Sequence, residues 1–526
     1  MSSLSKSGMR KVACALIIFI CFFAFYLVFL ANNHFTVDGA TRALEVFWSP
    51  KLVLHGNNHI LYPFNVYLWS KGAEFAAGEA SDAFVFIRRV QVMNATMAAV
   101  IISLSYLIFL KILRNEKLSL TLVSIFGISN AFFSHAVSSA EPMTGFFFFI
   151  IALFLIVYFS HRRVVYAISP LILAYAAMSY LSMVFGLAFI IAYLYSTSKS
   201  KKQVVAYCLI FAFAFIILFF AASSYKGSGI TNALSENRFT DSSHTGFKLK
   251  NIPQYPFGMI SAFYHINNIY DLPTYLASVK SFDINSVFSV VLGIIIFLVV
   301  VLLGLGFFRI ISQAISKKEI TTELGAVVYF ISASLSLILF VPIYDKLWIM
   351  GLHSFLLVAG ISYANLQKRL KIPIFALMLA GIAIIMVFNL MFAISAKAVA
   401  DDIDCARKSV SLMGDHYILL NNWGARYGMY FKPFFYKRDS LYYSVPNLAI
   451  EQGMDTSKVV SFLKQKYCSG DYTALYIISD LYMDKEMWNT FLGDEMKMDF
   501  AIFHREILDK GKPITECVYK ADKSIC

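Results

Sequence analysis

Charge is what this sequence has least of. Asp, Glu, Lys and Arg make up 15% of its 526 residues, where an ordinary soluble chain carries about 25%. A further 59% is hydrophobic, and 50 Phe and 30 Tyr are more than one or two water-soluble cores can hide. That balance excludes a cytosolic enzyme, a secreted soluble domain and a disordered scaffold, and leaves a polytopic membrane protein. Familiar chemical motifs are missing too. There is no P-loop, so no ATP-driven pump. There is no G-x-G-x-x-G after a strand, no H-E-x-x-H and no G-x-S-x-G. No cofactor motif and no metal pattern is present, and none is expected. Internal repeats and low-complexity segments are also absent. The apolar runs are nearly free of acids and bases at mid-membrane, where ion-coupled transporters keep some. Function must then rest on polar residues at the membrane surface.

What is present is a series of apolar runs. A bilayer core takes roughly 20 apolar residues per helix. Such runs begin near Val12, Val90, Leu118, Pro142, Val164, Ser182, Val204, Ser286, Leu324, Leu347 and Pro373, about eleven spans. The stretch from Val164 to Tyr195 reads as two short helices with a turn near Tyr180. The net charge of +13 does not point to nucleic acid, because the Lys and Arg flank the apolar runs and report topology. Clusters at Lys6/Arg10/Lys11, Lys111/Arg114/Lys117, Arg162/Arg163, Lys199/Lys201/Lys202, Arg309/Lys317/Lys318 and Lys368/Arg369/Lys371 fall on one side if the N-terminus is cytoplasmic. The first run resembles a signal peptide, but no A-x-A-like site follows, so a retained anchor is expected.

The expected architecture is an all-α membrane bundle over residues 1–395 with outer loops at 32–89 and 223–285, followed by an extracytoplasmic α/β domain over 396–526. That tail alternates strand-like runs from Tyr417 and Ala474 with a helix-like run from Thr456. Cys405, Cys468, Cys517 and Cys526 all lie in it. In an oxidising compartment four thiols allow three pairings, which remain open here. The one N-x-[ST] sequon, Asn94-Ala95-Thr96, falls inside a span. That favours a bacterial inner membrane, with the C-terminus periplasmic.

Three points on the outer side carry candidate chemistry. Asp38 follows the first span, and beyond it Ala40, Leu44, Phe47 and Trp48 recur at helical spacing, with Arg42 and Glu45 off that stripe. This is the pattern of an amphipathic interfacial helix, for which Asp38 is equally an N-cap. His59 stands in the same loop, where it also reads as an ordinary loop histidine. A His55/His59 metal pair would need helical spacing through Gly56-Asn57-Asn58, a poor helix. Glu141 sits in a very short outer turn before Pro142, where an acid also complements a helix dipole. Arg88 and Arg89 precede the second long span on the outer side. They either snorkel to headgroups or hold a phosphate with their planar forks. Lys346 is a further candidate phosphate ligand.

The pattern resembles the GT-C membrane glycosyltransferases, which use polyprenyl-phosphate or diphosphate sugars. That superfamily includes protein O-mannosyltransferases, the aminoarabinose transferase and the oligosaccharyltransferase catalytic subunit. The resemblance lies in Asp38 just after the first helix, the H-x-x-Y-P of His59 to Pro63, the R-R-x-Q-x-x-N run from Arg88 to Asn94, and Glu141 between the third and fourth spans. The D-x-D pair and W-W-D-x-G motif of the oligosaccharyltransferase are absent. The resemblance implies an inverting transferase with a polyprenyl-phosphate-linked sugar donor and a glycan, lipid or protein acceptor. Asp38 would be the base, with Glu141 and His59 orienting the reactants. Arg88, Arg89, Lys346 and Tyr62 would bind substrate. A lipid phosphate leaves readily, so one carboxylate suffices where a glycosidase needs two. An O-antigen polymerase or ligase would instead place Arg and His in a late outer loop. A lipid-linked-sugar flippase or transporter would need a polar path through the bundle.

Overall fold

The computed structural model describes residues 6–31, 37–48, 60–198, 200–225, 254–263, 306–313, 321–339, 347–366, 374–398, 400–421, 440–450, 453–482 and 499–526, with 294, 304 and 316 singly. The chain divides into two compact units, Met1–Ala396 and Lys397–Cys526.

The first unit is helical. It contains α1 (Lys6–Val28), α2 (Val37–Trp48), α3 (Tyr62–Ala77), α4 (Ala83–Leu113), α5 (Glu116–Ile128), α6 (Asn130–Ala136), α7 (Pro142–Phe159), α8 (Val165–Ser179), α9 (Leu187–Ser198), α10 (Lys201–Tyr225), α11 (Tyr255–Phe263), α12 (Thr322–Leu339), α13 (Trp348–Leu366) and α14 (Ile374–Ala398). Among the described residues five helices are long and apolar enough to cross a membrane, and α5 with α6 makes a sixth if that bent pair is one span. Four shorter apolar helices accompany them. The eleven spans expected from the sequence are therefore not all of full length, and the run near Ser286 lies outside the described residues. The break expected near Tyr180 is present: α8 stops there, Tyr180 is extended, and a 3-10 turn over Leu181–Gly186 leads into α9.

Lipid-facing positions stay apolar, as Leu16, Ile17, Leu209 and Phe213 show by their exposure. Inward positions pack closely. Tyr26 of α1 is fully buried and its hydroxyl donates to the Gly127 carbonyl at 2.9 Å. A Cβ on Gly127 would press into the Phe22 ring, so glycine lets these helices meet. The 63° bend between α5 and α6 frees backbone carbonyls that a bilayer cannot solvate. Asn389 of α14 donates to the Ile128 carbonyl there, and Asn130 Nδ2 reaches the Ser261 carbonyl at 2.9 Å. His353 of α13 sits deep in the bundle but is satisfied on both nitrogens, by Tyr329 at 3.3 Å and Ser105 at 3.1 Å.

The second unit is α/β. It contains α15 (Ala400–Leu412), β1 (Tyr417–Asn421), β2 (Leu441–Ser444), α16 (Val445–Ile450), α17 (Thr456–Cys468), β3 (Ala474–Ile478), α18 (Phe500–Glu506), β4 (Gly511–Pro513) and β5 (Val518–Ala521). The sheet order is β2-β1-β3-β5-β4. Its first three strands are parallel, with β5 and β4 antiparallel on one edge. Buried strands read as continuous apolar runs, and Ile418, Leu420, Leu475 and Ile477 pack with Val459 and Leu463 of α17. The cysteine pairing left open by the sequence is Cys405–Cys517 and Cys468–Cys526. We expect these four cysteines to react with a maleimide only after reduction and unfolding, as measured by intact mass. Labelling of the native, unreduced protein at any of them would contradict the pairing.

Candidate functional site

Three chain segments meet where α2, α3 and the turn between α6 and α7 come together. The turn is short, and Pro142 opens α7. Glu141 precedes it, fully buried, and its side chain makes no hydrogen bond to the first turn of its own helix. The dipole-capping reading therefore lacks its usual geometry. Asn94 of α4 is also fully buried. Its Nδ2 donates to the carbonyls of Ser138 and Ala140, both at 2.8 Å. That amide holds the turn against α4, so the sequon serves as a structural tie.

Tyr62, expected from the resemblance to bind substrate, opens α3, with Pro63 beside it. It is fully buried, and its hydroxyl donates to the Ser139 carbonyl at 2.6 Å. Burial raises its phenol well above the ordinary value, the Glu141 carboxylate adds to the rise, and the Arg42 guanidinium opposes it. The phenol stays protonated and remains a donor, so Tyr62 positions the turn that carries Glu141.

Helix α2 forms where the stripe of Ala40, Leu44 and Phe47 foretold. That stripe packs against protein: Ala40 and Leu44 are buried, and Phe47 meets Phe86 of α4 at 5.2 Å. Ala43 and Val46 are buried with them. Asp38 lies in the first turn of this helix rather than before it. The next residue, Gly39, is seated directly on the Ser139–Glu141 turn. A Cβ added at Gly39 would overlap the Ser139 carbonyl oxygen, come within 2.9 Å of Glu141 Oε2 and touch the Ala140 Cα at 3.0 Å. The backbone at Asp38 is thereby brought beside Glu141, two acids separated by a hundred residues of sequence.

The run from Arg88 to Asn94 lies along α4 next to this junction. Gln91 Nε2 donates to the Ala31 carbonyl at 2.7 Å, and Arg88 Nη1 reaches the same oxygen at 3.5 Å. The run thus secures the chain leaving α1. Arg88 is exposed and Arg89 half-buried. Arg89 donates to the carbonyls of Gly78 at 2.8 Å and Glu79 at 3.4 Å, just past α3. Trp69 of α3 donates back to the Arg89 carbonyl at 2.8 Å. His59, His55 and Lys346 lie outside the described residues, as does the side chain of Asp38. Among the described residues no three His, Cys, Asp or Glu side chains converge as a metal site would require. Sequence reading missed Gly39, Arg42 and the tying role of Asn94. The small residue right after Asp38 was the signal for the first.

An apolar groove opens between α8 and α10, about 750 Å³ and walled by residues that include Leu171, Leu209, Phe213 and Ile217. Tyr175 lines it and donates to Asn65 Oδ1 at 2.9 Å. Asn65 belongs to the first turn of α3, and Leu61 just before it donates from its backbone to the Met178 carbonyl at 3.2 Å. These two hydrogen bonds tie α8, one wall of the groove, to the start of α3.

A polytopic helical bundle followed by an α/β unit is a fold that this chain shares with a solved membrane protein. The likeness rests on ArnT from Cupriavidus metallidurans, crystallised bound to undecaprenyl phosphate: TM-score 0.53, 12% sequence identity, 99% of each chain covered. The apo form of that protein matches with a TM-score of 0.43 at 11% identity, over 98% of each chain. The mycobacterial arabinofuranosyltransferase AftD matches at 0.46 and 10%, over 91% of this chain and 35% of its own. No protein-family model and no curated protein matches the sequence itself.

Proposed function

We propose that this protein is an inverting glycosyltransferase that moves a sugar from a polyprenyl-phosphate donor to a glycan, lipid or protein acceptor on the extracytoplasmic side of a bacterial inner membrane. The observation that carries the reading is the seating of Gly39 on the Ser139–Glu141 turn, which brings the Asp38 backbone beside Glu141. Support comes from the undecaprenyl phosphate held by the structurally similar ArnT, and from the apolar groove between α8 and α10, whose wall residue Tyr175 hydrogen-bonds to Asn65 of α3.

In this mechanism Asp38 takes the proton from the acceptor hydroxyl as that oxygen attacks the anomeric carbon. The lipid phosphate leaves from the opposite face, and the configuration inverts. Glu141 and His59 orient the reactants. The groove between α8 and α10 receives part of the prenyl chain, and cations at the rim hold the departing phosphate. Arg89 is engaged with the carbonyls of Gly78 and Glu79 and Arg88 with that of Ala31; both arginines, with Lys346, are the phosphate ligands of this reading. The tail unit, 396–526 in the sequence reading, selects the acceptor.

Loss of a charge-assisted partner costs about 1.5–3 kcal/mol. Arg88→Ala should weaken lipid-donor affinity by that amount, and Arg88→Lys should recover part of it, lacking the planar fork. Arg89→Ala should weaken that affinity as well and also loosen α3. Unchanged donor affinity in Arg88→Ala, by calorimetry in detergent or nanodiscs, would return Arg88 to headgroup snorkelling. The assignment as a whole is tested by mass spectrometry of surface glycans from a deletion strain, complemented with wild-type or Asp38→Ala protein. Loss of one sugar in the deletion, restored only by wild type, is expected. An unchanged glycan profile in the deletion would refute the assignment.

A further inference from the structure

Phe75, near the end of α3, is 96% exposed, and Leu68 two turns earlier is 52% exposed. Seven residues apart, they share one face of the helix with Lys71 and Gly72, which are exposed between them. The opposite face is buried through Tyr62, Val66 and Ser70. A single exposed apolar residue is ordinary, so the place of this face decides what it meets. α3 is tied at both ends to membrane spans. At its start Ile60, Leu61 and Met178 form one apolar cluster, and Phe215, Leu218 and Phe219 of α10 pack against it. Those three lie inside Lys201–Ala221, a stretch long and apolar enough to cross a bilayer. Farther along, Trp69 donates to the Arg89 carbonyl, and the Arg89 guanidinium holds the Gly78 and Glu79 carbonyls just past the helix. α4, which carries Arg89, has 31 residues, about 46 Å of helix against an apolar bilayer core of about 30 Å. Counted back from Lys111 near its other end, about 20 residues of span reach Gln91. Arg89 therefore stands in the headgroup layer, and α3 lies along the membrane surface.

We propose that α3 is an interfacial helix whose Leu68 and Phe75 face is seated in the boundary between headgroups and acyl chains, with phospholipid as its partner. α2 carries the stripe expected of such a helix, but that stripe is covered by protein, and α3 takes the lipid contact instead. Lys71 fits the same boundary. Its ammonium pairs with Glu74 at 2.6 Å and stands 5.8 Å from the centre of the Tyr67 ring, so the stem lies along apolar surface while the charge stays among headgroups. At Gly72 nothing stands within 4 Å of a Cβ built there, which leaves the surface between Leu68 and Phe75 open to lipid. Tyr62 begins the same helix and donates to the Ser139 carbonyl. One rigid element thus joins the bilayer to the turn that carries Glu141, and the depth of α3 sets the height of that turn above the membrane. This seat is independent of the reaction the protein performs.

The test uses the full-length protein in phospholipid nanodiscs, with a nitrobenzoxadiazole fluorophore attached at Phe75→Cys. Cys14, Cys21 and Cys208 are changed to Ser, so that the other cysteines are those of the two tail disulfides. Ile17→Cys in α1, at a position 59% exposed, is the lipid reference. Lys512→Cys on β4, where the side chain is 78% exposed, is the water reference. The Phe75 probe should be quenched by a doxyl group near the carbonyl end of the acyl chain, and dithionite should reduce it at least about fivefold more slowly than the Lys512 probe, as burial by about 5–10 Å requires. A probe that lipid does not quench and that dithionite reduces as fast as at Lys512 would place the face in water and overturn the proposal. A probe shielded from both reagents would place protein over the face and overturn it equally. Wild-type protein gives a second measurement that needs no substitution. A phospholipid with a diazirine near the carbonyl end of its acyl chain should, on irradiation, attach to α3 at Leu68 or Phe75. Attachment to the spans with none on α3 would overturn the proposal.

Discussion

Asp38→Asn should insert and fold like wild type and turn over roughly 100 to 10,000 times more slowly, the usual worth of a general base. Asn caps and begins helices about as well as Asp. The lost charge at the start of α2 costs only about 0.3–1 kcal/mol against the helix dipole. A structural role for Asp38 thus predicts a small change, and a catalytic one a large change, in the same variant. Donor affinity should hardly move, because the carboxylate acts on the acceptor. The pair Asp38→Asn and Asp38→Ala separates the readings further. A structural role in the first turn of α2 predicts two active variants, each a little less stable, while a base predicts two inactive, well-inserted proteins. Near-normal turnover of Asp38→Asn, assayed with purified protein and a lipid-phosphate sugar, would remove Asp38 from the mechanism.

Gly39→Ala should have the second large effect, through one methyl group. Intrinsic propensity favours Ala over Gly in a helix by about 1 kcal/mol, so an open position would be stabilised. At Gly39 the methyl would instead overlap the Ser139 carbonyl oxygen and crowd the Ala140 Cα. Both obstacles are backbone, which cannot swing aside as a long side chain can. α2 must then lift from the turn. Overpacking of this kind costs about 1–3 kcal/mol, and an ångström of displacement at reacting groups can cost about 100-fold in rate. Gly72→Ala in α3 is the control, since nothing lies within 4 Å of a Cβ built there, and it should be neutral or mildly stabilising. Equal activity of the Gly39→Ala and Gly72→Ala proteins would show that α2 does not rest on the Glu141 turn during catalysis.

Much of the fold was legible in advance because a bilayer imposes length and polarity rules on each helix separately. The helix over Pro142–Phe159, the break at Tyr180 and the strands from Tyr417 and Ala474 all follow from local pattern. The bend between α5 and α6 did not show, since Asn389 of α14 satisfies the Ile128 carbonyl there and Asn130 reaches the Ser261 carbonyl of α11, and those pairings are not encoded by spacing. The candidate site was legible as a set of residues and illegible as an arrangement. Tyr62 reads as a ligand residue from its H-x-x-Y-P run, and only the fold shows that its hydroxyl donates to the Ser139 carbonyl. Arg89 reads as a phosphate fork, and only the fold shows that it also donates to two carbonyls beyond α3.

The sequence by itself determined that this is a membrane bundle with a separate α/β tail, because hydropathy and strand or helix period are properties of consecutive residues. It also determined which acids and cations stand near the ends of the spans. Only the tertiary structure decided which of these meet. The partnership of Gly39 with the Ser139–Glu141 turn and the choice of Cys405–Cys517 and Cys468–Cys526 among three pairings both depend on segments far apart in the chain. Close packing sets such contacts to within an ångström, and nothing in the local pattern of either partner carries that distance.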